Sequence, residues 1–175
     1  MKVVFLDIDG VVATEHALYE ELKNYYQVET VQEALDSSTY KELQYPRVSM
    51  FYWPFDSRAV SQLYRLQKET KCKFVLSSSW RLGQTVEEIN KLFAQKGLRI
   101  PILDKTDRKL SSERGEEIAW WINDHKDEVE SYVIIDDECY HDIIQFHAEN
   151  CVNTIFYDGF TKEDCDKAIE ILNKI

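Results

Sequence analysis

Six polar residues of this chain stand where apolar runs stop. Asp7 and Asp9 follow "KVVFL" in "DIDG", Ser77 and Ser78 follow "KFVL", and Asp136 and Asp137 follow "YVII". Two carboxylates one residue apart repel each other, and a bare carboxylate beside apolar side chains is costly. Such acids are either well solvated in a loop or they share a positive group. Positive groups are close in sequence. "KTDRKLSSER" carries Lys105, Arg108, Lys109 and Arg114 within ten residues, and Arg81 follows the serines in "SSSWR". Hydroxyls, the backbone N–H groups after them and guanidinium groups are donors suited to the oxygens of an anion. A serine run alone reads first as a plain turn, and Arg81 alone almost as readily as a surface ion pair.

Position decides between these readings. The three runs that end at Asp7, Ser77 and Asp136 each hold about four consecutive apolar residues rich in β-branched and aromatic types, the pattern of strands buried on both faces of a parallel sheet. "VNTIFYDG" from Val152 reads as a further strand and "RIPIL", around Ile100 to Leu103, as a weaker one. Between them lie helical patterns. "DSRAVSQLYRLQKET" starts at Asp56 or Ser57 as N-cap and puts Val60, Leu63, Tyr64 and Leu66 on one side. "TVEEINKLFAQKG" is stopped by Gly97, "SERGEEIAWWINDH" follows, and "TKEDCDKAIEILNKI" opens on Thr161 with Asp164 three positions on. Alternation of this kind predicts βαβ units, right-handed crossovers and an open, mainly parallel α/β sheet covered on both faces. Ligands of such sheets bind beyond the carboxyl ends of the strands, so Asp7, Ser77 and Asp136 are expected to converge on one site.

Residues 14–55 break the alternation. The stretch is rich in aromatics (Tyr19, Tyr25, Tyr26, Tyr40, Tyr45, Phe51, Tyr52, Trp53, Phe55) and too long for a simple connection. It reads as a cap-like insertion over the site or as a second packed layer. Otherwise the 175 residues form one unit, with 5 Gly, 3 Pro and no internal repeat. A net charge of −11 is the wrong sign for a chain that grips duplex nucleic acid through its phosphates, although a single end can still be held by a local patch. Cys72, Cys139, Cys151 and Cys165 form no CxxC pair, so free thiols in a reducing, cytoplasmic compartment are expected, and no apolar run reaches the ~20 residues a membrane span needs.

"DIDGV" after the first strand, serines at the second strand end, a basic residue opening a helix and "IIDD" after a later strand resemble, from Asp7 to Asp137, the haloacid dehalogenase (HAD) superfamily of aspartate-nucleophile phosphatases. "VLSSSWR", "RGEEI" and "GFT" are similar to the HAD domains associated with nucleic-acid end repair. The resemblance implies a Rossmann-like three-layer sandwich and a phosphate monoester substrate, a phosphorylated small molecule or a nucleic-acid end. It makes Asp7 the nucleophile and Asp9 the general acid, then base. Ser77, Ser78, Arg81 and Arg114 or Lys105 would bind phosphate. Arg114, 22 residues before Asp136, is the first choice for the basic residue that pairs the nucleophile, with Lys105 and Lys109 as competitors. Mg²⁺ would be held by Asp7, the backbone carbonyl of Asp9, and Asp136 or Asp137, since a hard cation with oxygen ligands lets carboxylates and phosphate crowd together.

Other features carry less. The histidines (His16, His125, His141, His147) lack metal-ligand spacing, and Trp120 and Trp121 sit mid-helix as packing residues, whereas Trp53 and Trp80 are candidates for stacking on a substrate. Neither GxxxxGK[ST] nor GxGxxG occurs, which excludes those nucleotide-binding loops. A receiver-type phosphoacceptor would place its acidic pair first and its acceptor at the third strand, the reverse of the order here. Two rivals stay open: a sugar phosphatase and a HAD-fold binding module without turnover.

Overall fold

The computed structural model describes residues 1–26, 53–108, 113–140 and 142–174. In chain order these form β1 (Lys2–Leu6), α1 (Glu15–Tyr26), α2 (Ser57–Thr70), β2 (Lys73–Leu76), a 3-10 turn (Ser79–Arg81) and α3 (Val86–Gln95). They continue with β3 (Ile102–Lys105), α4 (Arg114–Asp124), β4 (Ser131–Asp136), α5 (Asp142–His147), β5 (Cys151–Asn153) and α6 (Lys162–Asn173). The strands make one sheet in the order β3-β2-β1-β4-β5, and every pairing in it is parallel.

The continuous apolar runs are used on both faces. Val4 and Leu6 of β1, with Phe74 and Leu76 of β2, pack on Leu63 and Leu66 of α2, Ile89 and Phe93 of α3 and Ala168 and Leu172 of α6. Val3 and Phe5, with Val75 and Ile134, pack on Ile118 and Trp121 of α4 and Ile143 of α5. Side chains alternate across a strand, so one apolar run serves two layers and the sandwich closes. The helix starts follow local chemistry: Asp56 accepts from the Arg58 N–H at the head of α2, and Thr85 with Glu88 and Thr161 with Asp164 form capping boxes on α3 and α6. After α3, Gly97 takes φ +91, the left-handed turn that ends a helix cheaply only at glycine.

Two expectations shift. The weak fifth strand lies two residues later than "RIPIL", at Ile102–Lys105 on the sheet edge. The "VNTIFYDG" strand stops at Asn153, and a turn follows in which Gly159 N–H bonds Ile155 O at 2.8 Å. That segment is held by the loop after β1 instead of by a strand: Phe160 N–H donates to Val11 O, and the N–H groups of Glu15 and His16 donate to Phe156 O and Tyr157 O.

The chain leaves the sheet after Thr14 and returns to the same place. Asp56 N–H donates to Val12 O at 2.7 Å, Trp53 Nε1–H to Thr14 O, and Thr14 Oγ1 to Asp56 Oδ2. The two ends of the 14–55 stretch are therefore pinned together beside β1, and α1 starts the excursion. Its aromatic middle, including Tyr40, Tyr45, Phe51 and Tyr52, lies outside the described residues.

Candidate active site

Each ladder of the sheet continues one residue past its strand, and those extra rungs place the site. Asp7 N–H donates to Ile135 O, Ser77 N–H to Leu6 O and Thr106 N–H to Leu76 O, all at 3.0 Å. Asp7, Ser77 and Asp136 thus stand side by side at the carboxyl ends of β1, β2 and β4. Strand order reverses between β1 and β4, the position where open α/β sheets leave a crevice.

Carboxylate oxygens of Asp7, Asp136 and Asp137 lie within 4.8 Å of one another. Asp7 and Asp136 are buried. One cation is already among them: Arg114 Nη1 lies 2.5 Å from Asp136 Oδ2 and 3.3 Å from Asp7 Oδ2. Asp136 uses its other oxygen on the Glu138 N–H at 2.8 Å. A single guanidinium leaves three acids undercompensated. Burial, followed by the charge of Asp7, pushes Asp136 up to about 6, against the pull of Arg114. Burial and then the charges of Asp7, Asp136 and Glu138 push Asp137 up to about 7. Hard oxygen donors on three residues fit a divalent cation such as Mg²⁺. The backbone makes room for the third: Gly10 has φ +67, and a Cβ there would lie 2.5 Å from the Asp137 carboxyl carbon. Any side chain at residue 10 would displace Asp137 or strain the loop.

Asp9 is set apart from this cluster. Its Oδ2 accepts from Trp80 Nε1–H at 2.9 Å, and its Oδ1 is buried without a hydrogen-bond partner. Burial first, then the Asp7 charge, raises it to about 6, while the Trp80 bond holds it down. A carboxyl group whose pKa is raised toward neutrality suits an acid that must also act as a base. Ser77 also has a buried, unpartnered hydroxyl, and Ser78 is buried as the cap of the 3-10 turn. An anion oxygen would satisfy the Ser77 hydroxyl.

The remaining cationic candidates separate. Arg114 is in the cluster. Lys105 is not: its Nζ donates to Gln84 O at 2.5 Å and to Arg81 O at 3.3 Å. Lys109 lies outside the described residues. Arg81 is neither a free phosphate clamp nor a surface ion pair. It is 5% exposed, and it donates to the carbonyls of Thr106, Ser77 and Ser78 and pairs with buried Glu117. Its guanidinium holds the serine loop, the end of β3 and α4 in register, so it shapes the site from behind. Trp53 and Trp80 are also core residues instead of stacking platforms, at 5% and 2% exposure. Trp80 packs against Phe55 and Phe93, and Trp121 donates to Asp104. The Trp80–Asp9 and Arg81–Glu117 pairs have no signal in the sequence beyond residue type, because their partners are 71 and 36 residues apart.

Residues 3–165 match the family described as the HAD domain in Swiss Army Knife RNA repair proteins. Among curated proteins none matches. A hydrolase of the haloacid dehalogenase-like family from Streptococcus pneumoniae is similar in fold, with TM-score 0.50, 11% identity, and coverage of 96% of this chain and 90% of that one. A predicted phosphatase from Clostridium acetobutylicum shows TM-score 0.49 and 15% identity over 95% of this chain and 89% of that one. With the match running through β1, the serine loop, α4 and the paired aspartates, the chain belongs to the HAD superfamily, in the family of HAD domains found in Swiss Army Knife RNA repair proteins.

Proposed function

We propose that this HAD-family phosphatase hydrolyses phosphate monoesters on nucleotides or polynucleotide ends through a phosphorylated Asp7. The observation that carries this reading is Arg114 reaching both Asp7 and Asp136 in the carboxylate cluster while Asp9 stands aside with a raised pKa. An Asp7 oxygen attacks phosphorus as the bond to the leaving oxygen breaks, and Asp9 gives that oxygen its proton. Asp9 then takes a proton from water as the water oxygen attacks phosphorus, the Asp7–phosphorus link breaks, and inorganic phosphate departs. Arg114 and Ser77 bind phosphate oxygens. Asp7, Asp136 and Asp137 would hold Mg²⁺, with the Asp9 carbonyl as a further ligand; bound there, the cation offsets the charge that develops on the phosphoryl group.

The family's setting in RNA repair proteins supports a nucleic-acid end as substrate. We infer one domain over 1–175 with 14–55 as a cap-like insertion, supported by its pinned ends. Four buried cysteines, none in a disulfide, support a reducing, cytoplasmic setting, and no helix among the described residues is long and apolar enough to cross a membrane. Phosphate release from a panel tests the reading: p-nitrophenyl phosphate, 5′- and 3′-mononucleotides, oligonucleotides phosphorylated at either end, and sugar phosphates, each with Mg²⁺ and with chelator. Metal-dependent release is expected, best on nucleotide or end phosphates and abolished in Asp7→Asn. Retained release in Asp7→Asn overturns the mechanism, and a preference for sugar phosphates overturns the substrate class.

A further inference from the structure

Arg114 faces a second hollow as well as the carboxylates. A cavity of about 230 Å³ is lined by Ser79, Arg81, Leu82, Arg108, Arg114 and Glu117. Its walls hold three guanidiniums and one carboxylate, an inversion of the balance in a chain of net charge −11. The carboxylate is spoken for by the buried Arg81–Glu117 pair. Arg114 is directed to Asp7 and Asp136. Arg108 is different. It is exposed, and among the described residues no acidic side chain lies within ion-pair distance of it. The Arg108 and Arg114 charges both oppose protonation of Arg81, which places all three in one field. Three guanidiniums to one carboxylate, with Arg108 left over, contiguous with the Asp7 site, are arranged for an anion.

We propose that this hollow is a second anion subsite, taking the phosphate next to the one being hydrolysed. Its ligand is either the internucleotide phosphodiester of a polynucleotide end or the second phosphate of a nucleoside bisphosphate. The proposal rests on the phosphatase reading of Asp7 and names what else its substrate carries. Arg108 offers the planar, multiple donors that match phosphate oxygens, and the exposed Ser79 adds a hydroxyl. Leu82, at 42% exposure, gives the adjoining sugar or base an apolar surface. The subsite explains how an acidic protein selects a nucleic-acid end: it reads one further phosphate and does not engage a long duplex.

The test compares p-nitrophenyl phosphate, a mononucleotide, a dinucleotide with the same terminal phosphate and a nucleoside bisphosphate, on the full chain and on Arg108→Ala and Arg108→Lys. A charged hydrogen bond is worth about 1.5–3 kcal/mol, at 1.4 kcal/mol per factor of ten. Arg108→Ala should therefore cut the preference for the two-phosphate substrates over p-nitrophenyl phosphate by roughly tenfold or more. The loss should fall on KM, the salt dependence of KM for the dinucleotide should become shallower, and Arg108→Lys should restore part of the preference. The dinucleotide and bisphosphate arms distinguish the two sources. Direct titration of the dinucleotide into both proteins is read alongside. Weaker binding by Arg108→Ala without turnover in either protein would keep the subsite and remove the Asp7 mechanism. Equal losses on every substrate, or no change in preference and binding, overturn the subsite.

Discussion

Asp9 shows how one neighbour can set a residue's use. In the proposed mechanism Asp9 serves the leaving group and must keep a particular oxygen in place, and its grip is the 2.9 Å bond from Trp80 Nε1–H. The indole packs in one ring cluster with Phe55 and Phe93 at 2% exposure, so the donor is fixed by packing. Trp80→Phe keeps a ring in that slot and removes the donor. Positioned proton transfer contributes about 10²–10⁴-fold, so losing its anchor should lower kcat by roughly ten- to a hundredfold on alkyl phosphates, whose leaving groups need the proton. Nitrophenyl esters, which leave unaided, should lose much less. A uniform loss across leaving groups would make Trp80 a purely structural residue. The aspartates were legible from the sequence as paired acids at strand ends; the tryptophan that orients one of them was legible only as an aromatic.

Between elements, the Arg81–Glu117 pair ties the serine loop to α4, the helix that presents Arg114. Both side chains are buried, at 5% and 4% exposure. Removing one partner strands a charge away from water, which costs about 3–5 kcal/mol, whereas replacing both with apolar residues of similar size is often neutral. Glu117→Gln should therefore unfold at clearly lower urea than the wild type. The double variant Arg81→Met with Glu117→Leu should recover the part due to the stranded charge but not the part due to the Arg81 bonds to the carbonyls of Thr106, Ser77 and Ser78. A single variant as stable as the wild type would show that the pair contributes nothing to joining these elements. Helices and central strands were readable here because period and capping are local: Thr85, Thr161 and Gly97 announce their own ends. The bounds of the edge strand and the turn after β5 are not legible in the same way, because pairing at an edge depends on neighbours. "TIFYDG" has strand-forming residues, yet Thr154 gives its hydroxyl to Gly10 O, 144 residues away, and the chain folds back on the loop after β1.

Across the whole molecule, the sheet gathers charge at one end and leaves a polar tie in the layer formed by α4 and α5. His147 is buried there, bridging β4, α4 and α5. Gly115 O can only accept, so Nε2 carries the proton and Nδ1 accepts from the Tyr132 hydroxyl. Burial lowers the pKa of His147 from its ordinary 6.5, against the pull of Gly115 O and Asp142. Unfolded, the ring takes a proton as pH falls through about 6.5; folded, it stays neutral to lower pH. In that window the unfolded chain binds more protons, so this residue's contribution to stability is present above 6.5 and is lost on acidification. The raised carboxyls Asp9, Asp136 and Asp137 act with the opposite sign, because the folded state holds their protons more tightly as pH falls. A bare pH profile therefore mixes the two. Comparison with His147→Gln, which keeps an amide donor for Gly115 O and an acceptor for Tyr132, isolates the ring. Urea unfolding at pH 7.5, 6 and 5 should show the wild type losing stability relative to this variant as pH falls. A constant difference would mean that His147 titrates alike in both states, and that the α4–α5 layer is open enough to solvate its charge.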